Sequence, residues 1–215
     1  MIHPLLQSLK KRQELIVSQL AGYLKFSYRT TDKLLLGMGS STPYTTISPL
    51  TLHWTYGIPY VPGSSLKGVI RNGWIHEEFE GREEKANQDE FFRQCFGTGA
   101  DDDSASCGKL IFLDAYPVDS FEIVEDVQTP HYKTYYDQKG KTSPLDQISP
   151  TILPLIAVTR TRFGIYIGVN GSPDEFTKDQ LHMIQERVIC ALSEYGVGAK
   201  TAIGYGLGQV TPLDK

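Results

Sequence analysis

The spacing of hydrophobic residues divides the chain into helical and extended segments. Apolar positions three and four residues apart predict a leading helix over residues 1–22 and a second helix over about 64–79. A third helix is predicted to begin at the capping box formed by Thr177 and Gln180. Period-two alternation and short apolar runs predict strands over 23–36, 108–116 and 155–169, and a last strand that ends near Thr211.

The order of these elements after the leading helix is strand, helix, strand, strand, helix, strand. This βαββαβ order predicts an α+β protein with the ferredoxin-like (RRM-like) arrangement, an antiparallel sheet with helices on one face. An inserted hairpin over residues 119–150, with a turn at 138–140, interrupts the order. We therefore expect a single elaborated domain over 1–215.

Charge is distributed unevenly along the chain. Residues 77–103 hold ten acidic residues against three basic ones, a net charge of −7, so the rest of the chain carries +3 of the total −4. Between Lys33 and His76 there is no Asp or Glu. A polyanionic partner such as a nucleic acid is therefore compatible with the sequence, and the acidic segment is expected to face protein partners or solvent.

The remaining composition indicates the setting in which the chain works. It has no run of eighteen apolar residues and no signal peptide, which predicts a cytoplasmic protein with no membrane contact. Three widely spaced cysteines favour a reducing compartment over a disulfide framework. The sequence has no Cys-x-x-Cys or His-x-x-x-His pattern, so we expect neither a metal nor another cofactor.

Residues 59–71 are the first candidate for an anion-binding site. Two prolines give an extended approach, and Gly63, Ser64 and Ser65 then predict a flexible turn and a helix N-cap. The free N–H groups of a helix start can bind phosphate, with Lys67 and Arg71 on the adjacent helical face. The alternative is an ordinary capped surface helix with two solvated cations.

Residues 196–208 are the second candidate, because five of these thirteen residues are glycine. Glycines weaken regular structure, so this density suggests close approach of the backbone to a ligand. The predicted phosphate contacts are Gly196, Gly198, Lys200 and Thr201. The alternative, a tight connection between two elements, accounts for only one or two of the glycines.

The insertion over 119–150 interleaves aromatic and basic residues, which is typical of surfaces that stack on bases and contact phosphates. The candidate contacts are His131, Tyr132 and Lys133. The alternative is a hairpin whose tyrosines pack back onto the domain.

The Pro-Gly-Ser-Ser-Leu-Lys-Gly motif at 62–68 and the glycine-rich stretch at 196–208 together resemble those of the RAMP superfamily of CRISPR-associated proteins. The segments Gly-Lys-Leu-x-Phe-x-Asp-Ala-x-Pro at 108–117 and Asp-Val-Gln-Thr-Pro-His-Tyr at 126–132 narrow the resemblance to the sixth RAMP subunit of type III-B (Cmr) effector complexes.

This resemblance implies a ferredoxin-like fold that binds the backbone of the CRISPR RNA near the 3′ end of the guide. It also implies a thumb, here 119–150, that wedges into the duplex of guide and target RNA. The implied partners are CRISPR RNA, target RNA, and neighbouring Cmr subunits, namely backbone RAMP, small helical and capping RAMP subunits.

The resemblance leaves two interpretations of catalysis. Related backbone subunits cut target RNA with an aspartate in the loop before the Pro-Gly-Ser-Ser motif, but residues 37–57 contain no carboxylate here. A repeat-processing, metal-independent endoribonuclease of the same superfamily is the alternative, with His53 as general acid or base and His3 as the next candidate. The motifs together favour a binding subunit without catalytic residues.

Overall fold

The computed structural model describes residues 2–37, 50–99, 105–129 and 152–214 and shows a mixed α/β protein with antiparallel sheets. The helices are α1 (Ile2–Ser18), α2 (Gly63–Phe79), α3 (Glu83–Gln88), α4 (Glu90–Phe96) and α5 (Lys178–Cys190), which continues as a π-helical turn (Ala191–Tyr195). The strands are β1 (Gly22–Thr30), β2 (Leu110–Phe112), β3 (Tyr116–Pro117), β4 (Glu122–Gln128), β5 (Leu153–Thr159), β6 (Arg162–Val169) and β7 (Gly208–Pro212).

The main sheet has the strand order β2-β6-β1-β7, with β3 also paired to β6. All of its pairings are antiparallel, and β1 runs beside β6 from Gly22 opposite Val169 to Arg29 opposite Arg162. Alternate residues of β1 and β6 point into one core, where they meet the apolar faces of α2 and α5. The buried members of this core include Phe26, Tyr28, Ile165, Leu66, Ile70, Trp74, Ile184 and Val188.

Helix α1 covers the opposite face of the same sheet. Tyr166 alternates with the core residues of β6, and its hydroxyl donates to Glu14 of α1 at 3.2 Å. Lys25 of β1 lies 3.0 Å from the same carboxylate. The expectation of helices on one face therefore holds for α2 and α5, whereas α1 closes the other face.

The strand predicted over 155–169 is two strands. Arg160 has φ +47°, in the left-handed region, and the buried Thr161 donates its N–H to Thr30 Oγ1 at 3.2 Å. The chain bends here, because the antiparallel pairing continues from Arg29 opposite Arg162 to Leu34 opposite Val158. Beyond the bend, β5 pairs with β4 in a separate sheet, while β6 belongs to the main sheet. The sequence pattern missed this break because alternate positions stay buried on both sides of the bend, from Leu155 and Ala157 to Thr161 and Phe163.

The β4–β5 pair, which we call the arm base, runs from Glu122 opposite Thr159 to Gln128 opposite Leu153. The predicted insertion 119–150 thus begins beside β4, and its return strand extends to Thr159. Residues 130–151, which include the predicted turn, lie outside the described residues.

The acidic segment is largely helical where the structure describes it. Helix α4 buries Phe92, Cys95 and Phe96, and the rings of Phe92 and Phe96 meet Trp74 of α2 edge to face at 6.1 and 5.7 Å. Most of the acidic side chains face outward. The segment is therefore an amphipathic part of the core with an acidic outer surface.

Candidate functional site

The start of α2 differs from the predicted turn and N-cap. The helix begins at Gly63 with Pro62 at the N-cap position and no capping side chain, so Ser64 and Ser65 lie within the first turn. Gly63 is buried, and a Cβ there would overlap the carbonyl oxygen of Phe112. The prediction of a flexible turn is wrong, because the glycine serves close packing against the β2–β3 connection.

A carboxylate of the chain itself occupies the N-terminus of α2. The Gly63 N–H donates to Asp114 Oδ1 at 2.7 Å. A negative charge at this position is stabilised by the partial positive charge of the helix start. Part of the predicted anion site is therefore already bound to an internal acid, and only Ser64 and Ser65 remain exposed.

Lys67 and Arg71 share one helical face, as predicted, but that face meets α3 and α4. Lys67 Nζ donates to the carbonyl oxygen of Phe96 at 3.0 Å, at the C-terminus of α4. Arg71 Nη2 lies 2.7 Å from Glu83 Oε1, and its guanidinium lies 5.4 Å from the centroid of the Phe92 ring. Both cations hold the acidic segment against α2, and the charge of Arg71 is balanced by Glu83.

Contacts within the chain, and at Gly204 the backbone conformation, account for the glycines of the 196–208 loop. A Cβ at Gly196, Gly198 or Gly206 would clash with a backbone carbonyl, those of Gly206, Leu35 and Val197 respectively. Gly204 has φ +99°, and a Cβ at Gly208 would overlap the Tyr28 ring. The inference that a connection explains only one or two of these glycines is wrong, because the loop packs backbone against backbone.

The middle of this loop reaches the surface. Lys200, with φ +60°, precedes a short 3-10 turn (Thr201–Ile203). Gly198, Ala202 and Gly204 are exposed, and Ile203 is 64% exposed. Lys200 Nζ donates to Gln128 Oε1 of the arm base.

The arm base and the loop are joined by a polar network. The Tyr205 hydroxyl donates to Asp126 Oδ2 at 2.6 Å, and Lys33 Nζ lies 3.0 Å from the same oxygen. The hydrogen bond from Tyr205 and the nearby Lys33 lower the pKa of Asp126, while this bond and burial raise the pKa of Tyr205 to about 12. An apolar cluster of Leu35, Leu155, Ala157, Val124, Ala199 and Tyr205 lies beside the network.

The predicted contacts therefore fall into separate groups. Gly196, Gly198, Lys200 and Thr201 belong to the loop beside the arm base, whereas Gly63, Lys67 and Arg71 pack against β2–β3, α3 and α4. His131, Tyr132 and Lys133 lie outside the described residues. The sequence interpretation missed Lys33, Gln128 and Tyr205, whose contacts join residues far apart in the chain.

The two histidines of the endoribonuclease alternative lie in different surroundings. His53 stacks on Tyr56 with ring centroids 4.4 Å apart, and its Nδ1 accepts the Thr55 N–H at 3.2 Å. His3 lies in α1, within 3.1 Å of the Gln7 amide. Within the described residues, no group of three or more His, Cys, Asp or Glu side chains could hold a metal ion. No helix in that part of the chain is both long enough and apolar enough to cross a membrane.

Two curated proteins are similar to this chain over most of its length. It is 26% identical over 235 residues to the CRISPR system Cmr subunit Cmr6 of Pyrococcus furiosus, covering 83% of this chain and 65% of that protein. It is also 26% identical over 207 residues to Cmr6 of Saccharolobus solfataricus, covering 94% of this chain and 63% of that protein. The chain thus spans slightly less than two thirds of the length of these relatives.

The fold also matches a solved structure. A chain in the cryo-EM structure of a type III-B Cmr-beta complex bound to cognate target RNA aligns with a TM-score of 0.69 at 22% identity. The alignment covers 97% of this chain and 66% of that chain, and it shows a shared fold. A family model described as the RAMP superfamily matches residues 43–209, which include α2 and the glycine-rich loop. The chain belongs to the RAMP superfamily.

Proposed function

We propose that this chain is a non-catalytic RNA-binding subunit of a type III-B CRISPR (Cmr) effector complex. In this role it holds CRISPR RNA and the duplex of guide and target near the 3′ end of the guide. Its protein partners would be the neighbouring backbone RAMP, small helical and capping RAMP subunits. The similarity to two Cmr6 proteins supports this role.

The observation that carries the proposal is that, among the described residues, the side chain of Lys200 is bound by a neutral group and not by a carboxylate. Lys200 stands at the exposed turn of the glycine-rich loop, and its side chain is held by the neutral amide of Gln128. In the part of the chain that the structure describes, no carboxylate forms an ion pair with Lys200. Arg71, in contrast, is paired with Glu83, and Lys67 is bound by the Phe96 carbonyl at the C-terminus of α4, which carries a partial negative charge. An RNA phosphate would therefore meet an uncompensated positive charge at Lys200, with Thr201 and the loop backbone beside it.

The strand order supports a ferredoxin-like fold as part of the proposal. Helix α2 follows β1, α5 follows β6, and the order β2-β6-β1-β7 places the two central strands as a βαββαβ unit requires. Because α1 covers the sheet face opposite α2 and α5, we assign RNA contact to the loops rather than to the sheet surface. The guide would then be recognised by its backbone and shape, and base pairing would supply sequence specificity.

Salt-dependent RNA binding by a charge-reversed variant tests this assignment. Lys200→Glu is expected to weaken binding of the chain to single-stranded guide RNA for every guide sequence. It should also make the salt dependence shallower, by about 0.7 in the slope of log K against log salt if one phosphate contact is lost. The matched control is Lys178→Glu, an exposed position at the start of α5 with the same change in charge. Equal affinity and slope in the Lys200 and Lys178 variants would refute a phosphate contact at Lys200.

The double variant Lys67→Glu with Arg71→Glu tests whether the motif at the start of α2 contacts the guide RNA. This pair is expected to weaken guide binding or complex assembly, but it also breaks the contacts with Phe96 and Glu83. Its effect on RNA therefore has to be compared with its effect on stability. RNA crosslinks at Ser64 or Ser65 in the assembled complex would show that this helix start contacts the guide directly.

The absence of catalysis is tested separately. The purified chain is expected to leave CRISPR repeat RNA intact in the presence of a chelator. Cleavage that disappears in His53→Ala would instead establish the metal-independent endoribonuclease alternative.

A further inference from the structure

A cleft lies between α1 and residues 53–56, on the side of the molecule where β3 begins. Its volume is about 400 Å³, which is within the usual range of about 300–1,000 Å³ for small-molecule sites. Its walls include Leu9, Arg12, Ile16, His53, Tyr56 and Tyr116. Aromatic and aliphatic groups thus line the cleft together with the polar Gln13, Thr55 and Asp114, and Arg12 supplies a cation.

Three aromatic rings, His53, Tyr56 and Tyr116, form one wall of the cleft, and the ring of Tyr60 packs against two of them. His53 stacks on Tyr56 at 4.4 Å with an interplanar angle of 24°, and Tyr60 stacks on Tyr116 at 6.1 Å with an angle of 28°. His53 joins the two pairs, with its ring centroid 5.5 Å from Tyr60 and 5.8 Å from Tyr116. On the α1 side, the aliphatic surface comes from Leu9 and the exposed Ile16, beside the polar Arg12 and Gln13. A flat ring between these walls would contact apolar atoms on both of its faces.

Polar groups in the cleft offer hydrogen bonds to the edge of such a ring. Because His53 Nδ1 accepts the Thr55 N–H, the neutral imidazole carries its proton on Nε2, which is a donor. Asp114 uses one oxygen for the Gly63 N–H, and within the described residues its other oxygen has no hydrogen-bond partner. Tyr116 contributes a hydroxyl whose pKa is raised to about 12, chiefly by burial, so it stays protonated at neutral pH.

Arg12 supplies the cation on this side of the cleft. Its Nη1 donates to the Tyr56 hydroxyl at 3.3 Å, and its side chain is exposed. Among the residues that the structure describes, no carboxylate pairs with Arg12. Its charge is therefore available to a ligand anion bound near the ring wall.

We propose that this cleft is a stacking pocket for one unpaired nucleobase of a bound RNA. The base would lie between the ring wall and α1, with its edge toward Asp114 and His53 and its phosphate toward Arg12. The combination of stacking surfaces, donor and acceptor groups and a nearby cation matches the way in which proteins bind single-stranded bases. The pocket is separate from the Lys200 loop, and it depends on the proposed function only in that RNA is the ligand.

Trp54 provides a reporter for this pocket. The chain has two tryptophans, and Trp54, between the lining residues His53 and Thr55, is 98% exposed, whereas Trp74 is 3% exposed. The full chain is titrated with a five-nucleotide single-stranded RNA and with an abasic RNA of the same length and charge. The base-bearing RNA is expected to quench Trp54 fluorescence and to bind at least about 5-fold more tightly, because stacking on an aromatic side chain contributes at that level.

Substitutions then test whether the pocket causes the difference in affinity between base-bearing and abasic RNA. Tyr56→Ala is expected to reduce affinity for the base-bearing RNA about 5- to 100-fold and to leave abasic RNA unaffected, while Tyr56→Phe keeps most of the affinity. Ile16→Ser changes an exposed position on the α1 side without changing the charge, so it provides the same test without removing a ring from the core. Trp54→Phe should abolish the fluorescence signal but keep the affinity measured by anisotropy.

Equal binding of base-bearing and abasic RNA, unchanged by Tyr56→Ala and Ile16→Ser, would overturn the pocket. In that case a loss of binding in Lys200→Glu would still support the backbone-binding function. A chain that binds neither RNA would overturn both proposals.

Discussion

Two glycines of the same loop, Gly206 and Gly204, should respond differently to alanine. Both have positive φ, +67° and +99°, so each substitution places a Cβ in a backbone conformation that costs about 1–2 kcal/mol. At Gly204 the new Cβ would meet no atom within 4 Å. At Gly206 it would overlap the carbonyl oxygen of Val197.

The overlap at Gly206 also breaks hydrogen bonds that hold the loop. The Val197 N–H donates to the Gly206 carbonyl at 2.7 Å, and the Gly206 N–H donates to the carbonyl of Lys33 at 2.8 Å. Gly206 is buried, so each backbone group that loses its partner costs about 1–3 kcal/mol. We therefore expect Gly206→Ala to lower the free energy of unfolding by about 3–5 kcal/mol, against about 1–2 kcal/mol for Gly204→Ala.

Equilibrium urea unfolding followed by far-UV circular dichroism measures this difference. With a slope of about 2 kcal/mol per molar urea, the two midpoints should differ by about 1–2 M. Equal midpoints would refute the conclusion that backbone packing within the chain requires the glycine at 206. Gly204→Ala, if it is stable, also shows whether RNA approaches the exposed turn closely, because a methyl group there would then reduce RNA affinity.

Three further outcomes follow from the structure. Trp74→Ala should lower the free energy of unfolding by about 3–5 kcal/mol, because the ring is buried against Phe91, Phe92 and Phe96. The exposed Trp54 is the control, and Trp54→Ala should change the free energy of unfolding little. Similar losses in the two variants would contradict the packing of α2 on α4. Asp126→Asn should destabilise the chain by about 1–2 kcal/mol at pH 7. The pKa of Asp126 is lowered in the folded state, so the stability that its charge contributes is present above the usual aspartate value of about 3.9 and is lost as the pH falls through the folded pKa. Urea unfolding should therefore show a smaller difference in stability between the parent chain and Asp126→Asn at acidic pH. A difference that stays constant with pH would contradict the network. A thiol reagent at pH 8 should label the exposed Cys107 quickly and Cys95 only on unfolding, because Cys95 is buried and burial raises its pKa to about 12. Fast labelling of both thiols in the native chain would show that α4 is not packed as described.

The sequence alone determined the elements whose pattern is local. The helix over 64–79 and the capping box at Thr177 and Gln180 were predicted correctly, because helical spacing and capping depend on residues within one or two turns. The alternation at the start of the predicted strand over 23–36 also indicated β1, in which Phe26 and Tyr28 are buried. The RAMP motifs at 62–68 and 196–208 also indicated the superfamily, which the family match then showed.

Only the tertiary structure decided how the candidate residues are used. Asp114 reaches the start of α2 from 51 positions along the chain, and Gln128 reaches Lys200 from 72. No local pattern contains such pairs, because they depend on the sheet order and on the break at Arg160 that separates β5 from β6. Two basic motifs looked equivalent in the sequence, yet folding gave Arg71 an acidic partner and left Lys200 with a neutral one. That difference between Arg71 and Lys200 supports placing the proposed RNA contact at the loop, and it exists only once distant residues meet.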